Sequence, residues 1–359
     1  MRQLWRAVLD SVATYETGFS QTDLEGAELI RLSANENPLG PSPRAVEAVV
    51  REAARAHLYP DGSGMAVRQA LGRRLGVSPE AIMLGNGADE LLALIAWAAF
   101  EVGDEVVIPY PSFEPYGTVV TLSGATPVWS PLANYQTDLA DMAERVTPRT
   151  KALILCSPHN PTGTIVRHEP LVKLLAGLGA DPPLVILDEA YRDFADNPES
   201  ADGVALLRHY PTLIALRTFS KIAGLAGLRV GYAIARPEVI GKLNRVRAPY
   251  NVNRLAQVAA VAALADREHW EQTVRLVREE RRFLTAELTK RGLAVVPSQA
   301  NFLLVKAGAE TEGVLERLLR SGILVRAGAR VGFPGHLRIT VGTRAQNERF
   351  LAALDRGRS

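Results

Sequence analysis

Five short segments with apolar interiors constrain this chain more than anything else in it: "AIMLG" (81–85), "EVVIP" (105–109), "KALILC" (151–156), "PLVILD" (183–188) and "TLIALR" (212–217). Each has the length of a strand and closes on or just before Gly, Pro, Ser, Asp or Thr. Helical pattern such as "ADELLALIAWAAF" lies between most of them. A strand apolar on both sides cannot face water, so both faces of its sheet must be covered. Strands of this kind joined by helices predict an α/β fold with a mostly parallel sheet between helical layers. Ligands of such sheets bind at the carboxyl ends of the strands, so the polar residues found there are the candidates for function.

Beyond about residue 236 the pattern changes. A long helical stretch, "REHWEQTVRLVREERRFLTAELTKR", precedes "NFLLVKA", "ILVRAG" and "LRITVG", which read as a smaller α+β domain. The prolines of "ANENPLGPSP" exclude a long helix near the start. The expected division is therefore an arm at 1–44 that also supplies part of the small domain, a large domain at 45–245 and a small domain at 246–359. A chain of 359 residues is long enough for two cores. Its formal net charge of +2 offers no electrostatic case for a nucleic-acid or membrane partner. Arg6 and Asp10 interrupt the first apolar residues, so no signal peptide is expected, and no apolar run has membrane-spanning length. The single cysteine, Cys156, excludes an intramolecular disulfide and fits a reducing, cytoplasmic setting. The six histidines show no metal-binding spacing, so no metal is expected.

Three strand ends carry polar residues. In "LGNGADELL", Gly85 and Gly87 allow a tight turn into a helix whose first N–H groups suit a phosphate, and Asp89 suits an N-cap. A capped helix with no ligand fits the same residues, and Glu90 stands where a dinucleotide fingerprint needs its third glycine. "CSPHNPTG" presents Asn160 on a loop made irregular by two X–Pro steps, where it could equally be an ordinary turn residue. "VILDEAYRDF" puts Asp188 directly after an apolar strand, with Tyr191 three residues on. A carboxylate there is desolvated and wants a cationic or protonated partner. Nucleotide hydrolases place an aspartate similarly, but the phosphate loop they require is missing: the only Gly-Lys pair, Gly241-Lys242, is followed by Leu243.

The stretch "LRTFSKIAGLAGLRVGY" sets Lys221 among small and apolar residues, with Arg229 eight positions on. Burial lowers a lysine's pKa and raises its nucleophilic fraction, so Lys221 could form a Schiff base. Lysine, aspartate, asparagine, tyrosine and a phosphate cradle together meet the needs of pyridoxal phosphate.

These segments resemble the fold-type I pyridoxal-phosphate aminotransferases, and among them the histidinol-phosphate aminotransferases. The similarity runs through "ANENPLGPSP", "YPDG", "GNGADE", "SPHNPTG", "LDEAYRDF", "FSKIAGLAGLRVGY", "APYNVN", "NFLLVK" and "LRITVGTR". It implies that Lys221 is the Schiff-base lysine and proton carrier, and that Asp188 pairs with the pyridine nitrogen. It implies that Tyr191 and Asn160 bond the cofactor's 3-oxygen, Asn160 also facing the substrate. Gly87, Ala88 and Asp89 would cradle the phosphate with Thr218, Ser220 and Arg229. Phe113 would stack on the ring where the family pattern carries a tyrosine, and His159 replaces an asparagine. Tyr59 would reach the cofactor of a neighbouring subunit, which makes the active unit a homodimer. Arg338 and Arg326 would bind the anionic end of the substrate, and Tyr15 would close the pocket.

The implied reaction is transamination between L-histidinol phosphate and 2-oxoglutarate, giving imidazole-acetol phosphate and L-glutamate, a step of histidine biosynthesis. An aromatic amino-acid aminotransferase would use the same cofactor residues, and a phospho-amino-acid decarboxylase is a further relative. A cofactor-sensing module of a transcription regulator would need a winged helix ahead of this fold, and the similarity begins by about Tyr15.

Overall fold

Strands apolar on both sides need two layers of cover, and two hydrophobic clusters supply them. The computed structural model describes residues 4–14 and 29–356. β1 (Ile30–Leu32), α1 (Pro43–Ala53) and α2 (Met65–Leu75) come first. The large sheet and its helices follow as β2 (Ile82–Gly85), α3 (Ala88–Ala99), β3 (Glu105–Tyr110), α4 (Pro115–Ser123), β4 (Thr126–Pro131), α5 (Leu139–Glu144), β5 (Thr150–Cys156) and α6 (His168–Gly177). β6 (Leu184–Asp188), α7 (Gly203–Leu206), β7 (Leu213–Thr218), β8 (Gly231–Ile234) and α8 (Pro237–Leu243) complete that part. Then come α9 (Arg254–Ala265), α10 (Arg267–Lys290), β9 (Ala294–Val295), β10 (Phe302–Lys306), α11 (Thr311–Arg320), β11 (Ile323–Ala327), β12 (His336–Thr340) and α12 (Arg344–Asp355).

The large sheet has seven strands in the order β2-β8-β7-β6-β5-β3-β4. The pairs β3–β4, β3–β5, β5–β6 and β6–β7 are parallel. β8 runs antiparallel to both β7 and β2, so the sheet is mixed at one side. The period-2 alternation of strand side chains divides the core. Leu153, Leu155, Val185 and Leu187 enter one cluster, while Ala152, Ile154 and Ile186 enter the cluster on the other face.

β8 and β4 were not expected. The short β8 lies inside the glycine-containing "RVGYAIA", and β4, "TPVWSP", carries two prolines as an edge strand may. The start of the chain is also more regular than its prolines suggest. β1 pairs in parallel with β11, Ile30 opposite Ile323, and so joins a five-stranded sheet of order β1-β11-β12-β10-β9. The core changes hands inside α10. Trp270 and Val277 pack with the large-sheet cluster, whereas Leu284 and Leu288 pack with the small sheet.

Residues 33–41 run between the two sheets and dock on the turn after β7. Asn37 Nδ2 donates to Ile222 O at 2.8 Å. Gly224, at φ +68°, lies so close that an added Cβ would stand 2.3 Å from Gly40 O. The backbone conformation and the contact both demand glycine. Replacing Gly224 by alanine is expected to cost about 1–3 kcal/mol of stability, read as a lowered urea midpoint; an unchanged midpoint would show that this docking does not hold the two segments together.

Candidate active site

Sheet register brings the candidate residues to one edge. Cys156, Asp188 and Leu216 stand side by side at the ends of β5, β6 and β7. Gly85, Gly231 and Thr218 align likewise across β2, β8 and β7. Between this edge and strands β11 and β12 lies a cavity of about 840 Å³. Lys221, Asp188, Tyr191, Asn160, Arg229 and Phe113 all line it. Ala88, Asp89, Thr218, Ser220, Arg326 and Arg338 do so too. Gly87 and Tyr59 do not, and Tyr15 falls outside the described residues.

Asp188 and Glu189 illustrate how a strand end sorts neighbouring side chains. Glu189 points to one face, where Oε2 accepts from Arg217 Nε at 2.8 Å and Oε1 from Gly203 N at 2.8 Å. Asp188 points to the other and into the cavity. Its Oδ2 accepts from the Tyr116 hydroxyl at 2.6 Å and its Oδ1 from Ala190 N at 2.9 Å. Among the described residues no cation forms an ion pair with Asp188. Burial pushes its pKa up to about 6, against the opposing pull of the Tyr116 and Ala190 hydrogen bonds.

Lys221 is half-buried and donates Nζ to Ala34 O at 3.0 Å. Burial, followed by the nearby Arg338 guanidinium, pulls its pKa down to about 8. The Tyr191 hydroxyl accepts from Asn35 Nδ2 at 3.1 Å, and burial pushes the phenol's pKa up, so it stays protonated. Asn160 Oδ1 accepts from Arg338 Nη1 at 2.7 Å, and Arg338 Nη2 donates to Ser33 O at 2.7 Å. Arg326 faces Arg338 across the β11–β12 pair.

The turn from β2 into α3 differs in detail from expectation. Gly87, not Asp89, occupies the N-cap position, because its φ of +82° starts the helix there. Asp89 lies in the first turn and accepts from Arg229 Nη2 at 3.1 Å. The Gly87 N–H is turned back to Gly85 O at 2.8 Å, so the helix-end donors begin at Ala88. A Cβ on Gly87 would stand 2.4 Å from Arg229 Nη2, so only glycine lets the guanidinium close on the turn. Thr218 Oγ1 donates to Ser220 Oγ at 2.9 Å beside this turn. Lys221 and Arg229 thus line the same cavity.

Phe113 meets the Tyr116 ring edge-on, with centroids 5.4 Å apart. His159 is buried, bonds Thr162 Oγ1 through Nδ1 at 2.9 Å, and is held neutral by burial, which pulls its pKa down to about 3. Tyr116, Asn35 and the Ala34 carbonyl were missed by sequence reasoning. Phe113 lies just before α4 and Tyr116 in its first turn, and nothing in that spacing marks a contact with β6. The buried Ser112 Oγ, which has no partner among the described residues, also lines the cavity.

An anion site at a helix start, a buried carboxylate without a cation, a depressed lysine and a guarded phenol suit pyridoxal phosphate, group by group. The Lys221 shift is directly measurable. With the cofactor removed, acylation of the peptide that carries Lys221 should follow a curve of midpoint near pH 8, apart from the α-amino group that reacts in the same range, and Lys221→Ala should abolish it. A midpoint near that of an ordinary lysine would contradict the burial argument.

Comparisons with known proteins agree with this geometry. The family described as "Aminotransferase class I and II" matches residues 27–354. A histidinol-phosphate aminotransferase of Symbiobacterium thermophilum is 46% identical over 93% of this chain and 92% of its own length. One of Moorella thermoacetica is 44% identical over 93% of this chain and 86% of its own. The crystal structure of histidinol-phosphate aminotransferase from Sinorhizobium meliloti, in complex with pyridoxal 5'-phosphate, superposes with a TM-score of 0.89. That match has 28% identity and covers 98% of this chain and 97% of the other. An aspartate aminotransferase of Thermotoga maritima superposes with a TM-score of 0.83 at 25% identity, over 93% of each chain. The chain belongs to the class I and II aminotransferases of fold type I, among the histidinol-phosphate aminotransferases.

Proposed function

We propose that this chain is a pyridoxal-phosphate-dependent histidinol-phosphate aminotransferase, exchanging an amino group between L-histidinol phosphate and 2-oxoglutarate. The observation that carries the reading is the gathering of Lys221, Asp188, Arg229 and Arg338 around one cavity at the carboxyl edge of the large sheet. When bound, the cofactor supplies an aldehyde carbon that carries the amino group and a ring that takes up the electron pair released at the substrate.

The side chains have separable tasks. Lys221 attaches the cofactor and moves the proton at the reacting carbon through Nζ. With a pKa of about 8, roughly a tenth of it is neutral at pH 7, far more than for an exposed lysine. Asp188, ionised above about pH 6, holds a proton on the ring nitrogen. Tyr191 and Asn160 orient the ring's 3-oxygen, and Phe113 flanks the ring face. Arg229, Thr218 and Ser220, with Gly87 shaping the turn and Ala88 and Asp89 at the helix start, hold the phosphate. Arg338 and Arg326 receive the anionic end of the substrate, because a guanidinium fork fits phosphate and carboxylate alike. Tyr15 remains assigned to closing the pocket.

The chain's limits and setting are part of the same proposal. The division into an arm, a large and a small domain is kept, with the last limit moved from 246 into α10, where the packing changes. A cytoplasmic location fits a biosynthetic enzyme in which no described helix is long and apolar enough to cross a membrane. A homodimer is supported by Tyr59, which is 77% exposed and stacked on the half-exposed Tyr250 at 4.6 Å, outside the cavity of its own chain. Sedimentation should give twice the monomer mass, and Tyr59→Phe should weaken cofactor retention by roughly tenfold, the effect of one lost hydrogen bond to a charged group. A fully active monomer would exclude this role.

Borohydride reduction followed by peptide mapping should place the cofactor on Lys221; label on another lysine would overturn the assignment. L-Histidinol phosphate should then bleach the cofactor's visible band in a single turnover, and 2-oxoglutarate should restore it. A response to phenylalanine but not to histidinol phosphate would instead make the chain an aromatic aminotransferase, and carbon dioxide release from threonine phosphate would make it a decarboxylase.

A further inference from the structure

One group touching Asp188 comes from outside the strand-end loops. Tyr116, in the first turn of α4, is 1% exposed, and its hydroxyl donates to Asp188 Oδ2 at 2.6 Å. Pro115 opens that helix, and Phe113 packs edge-on against the Tyr116 ring. The hydroxyl thus reaches the carboxylate from the side of the sheet that carries the ring-facing aromatic.

A buried carboxylate without a cation tends to take up a proton and become neutral. A neutral Asp188 could no longer favour a proton on the ring nitrogen. Hydrogen bonds donated to the ionised form oppose that drift. Of the remaining neighbours only the Ala190 N–H gives this help, and it leaves Oδ2 to Tyr116. Cys156 on β5 is a buried thiol whose pKa burial pushes up, so it stays neutral. Asp89 on α3 and Glu189, next in the chain, raise the Asp188 pKa further. Ala190 N–H engages Oδ1 only. Burial and the Asp188 charge push the Tyr116 phenol well above its ordinary range, so it remains a donor throughout.

We propose that Tyr116 is a positioning residue for the transamination: its hydroxyl fixes the Asp188 carboxylate through Oδ2 and keeps it anionic for the pyridine nitrogen. The proposal rests on the reading of Asp188 given above. Two measurements on Tyr116→Phe separate the two claims. The first is an infrared pH titration of the unloaded chain, with the Asp188 carboxyl band assigned by its loss in Asp188→Asn. The midpoint, expected at about 6 in the unsubstituted chain, should rise by roughly one pH unit or more in Tyr116→Phe. The second is the affinity for pyridoxal phosphate. Tyr116→Phe should weaken it by roughly tenfold, and by much less when Asp188 is already Asn.

An unchanged midpoint, or an equal loss of affinity in both backgrounds, overturns the proposal and leaves Tyr116 a packing residue. A raised midpoint with unchanged affinity in Tyr116→Phe and Asp188→Asn alike overturns the reading of Asp188 instead. Should Tyr116→Phe fail to fold, ring-labelled tyrosine in Asp188→Asn reads the contact from the other side. The Tyr116 phenol should then titrate at lower pH than in the unsubstituted chain, and an unchanged titration overturns the proposal.

Discussion

Desolvating a carboxylate without giving it a cation is among the more expensive things a fold can do. Asp188 is held in that state by everything around it. The parallel register of β5, β6 and β7 fixes its backbone, and strand alternation turns it away from Arg217, which neutralises Glu189 on the opposite face. Two neutral donors, Tyr116 and Ala190, stabilise the ion without cancelling its charge. The result is an acceptor that still seeks a proton, at the edge where a parallel sheet leaves its strand ends open.

The opposite wall of the cavity is organised around cations kept apart from that carboxylate. Arg338 is tied to Asn160 and to the Ser33 carbonyl, and its charge helps lower the Lys221 pKa. Lys221 and Tyr191 are in turn held by Ala34 and Asn35. The connector at 33–37 therefore touches Lys221, the Tyr191 phenol and Arg338 at once. Asn301 secures it from β10's side by donating to Asn35 O at 3.1 Å. Its residues have little conformational choice: Asn35 is buried and sits at φ +55°, a region that asparagine tolerates better than most.

Much of this was legible from residues alone, and the limits have physical causes. Uninterrupted apolar runs end abruptly, so the strand ends and the polar residues on them could be read in place. Tyr116 could not, because a tyrosine on a helix gives no sign of which strand end its hydroxyl will reach. β1 was obscured because three residues of a strand have no periodicity to detect, and the prolines after it suggest irregular chain. Asp89 was read as a cap because its side chain suits one. The available glycine left of it, able to take a positive φ, starts the helix earlier and frees the carboxylate for Arg229.

The pairing of β1 with β11 also governs when the protein can become an enzyme. Asn35 N donates to Thr340 Oγ1 across 305 positions of sequence at 2.9 Å, so the wall that holds Lys221 and Tyr191 cannot settle until the far end of the chain is present. During synthesis the large sheet has all seven of its strands by Ile234 and can organise first. Residues 29–41 must then wait for β11 and β12, which follow them by most of the chain. Loop closure over such a span is slow. The wall around Lys221 and Tyr191 therefore depends on the late strands, and a chain cut short before β12 would carry Ala34 and Asn35 without the Thr340 and Arg338 contacts that anchor their segment.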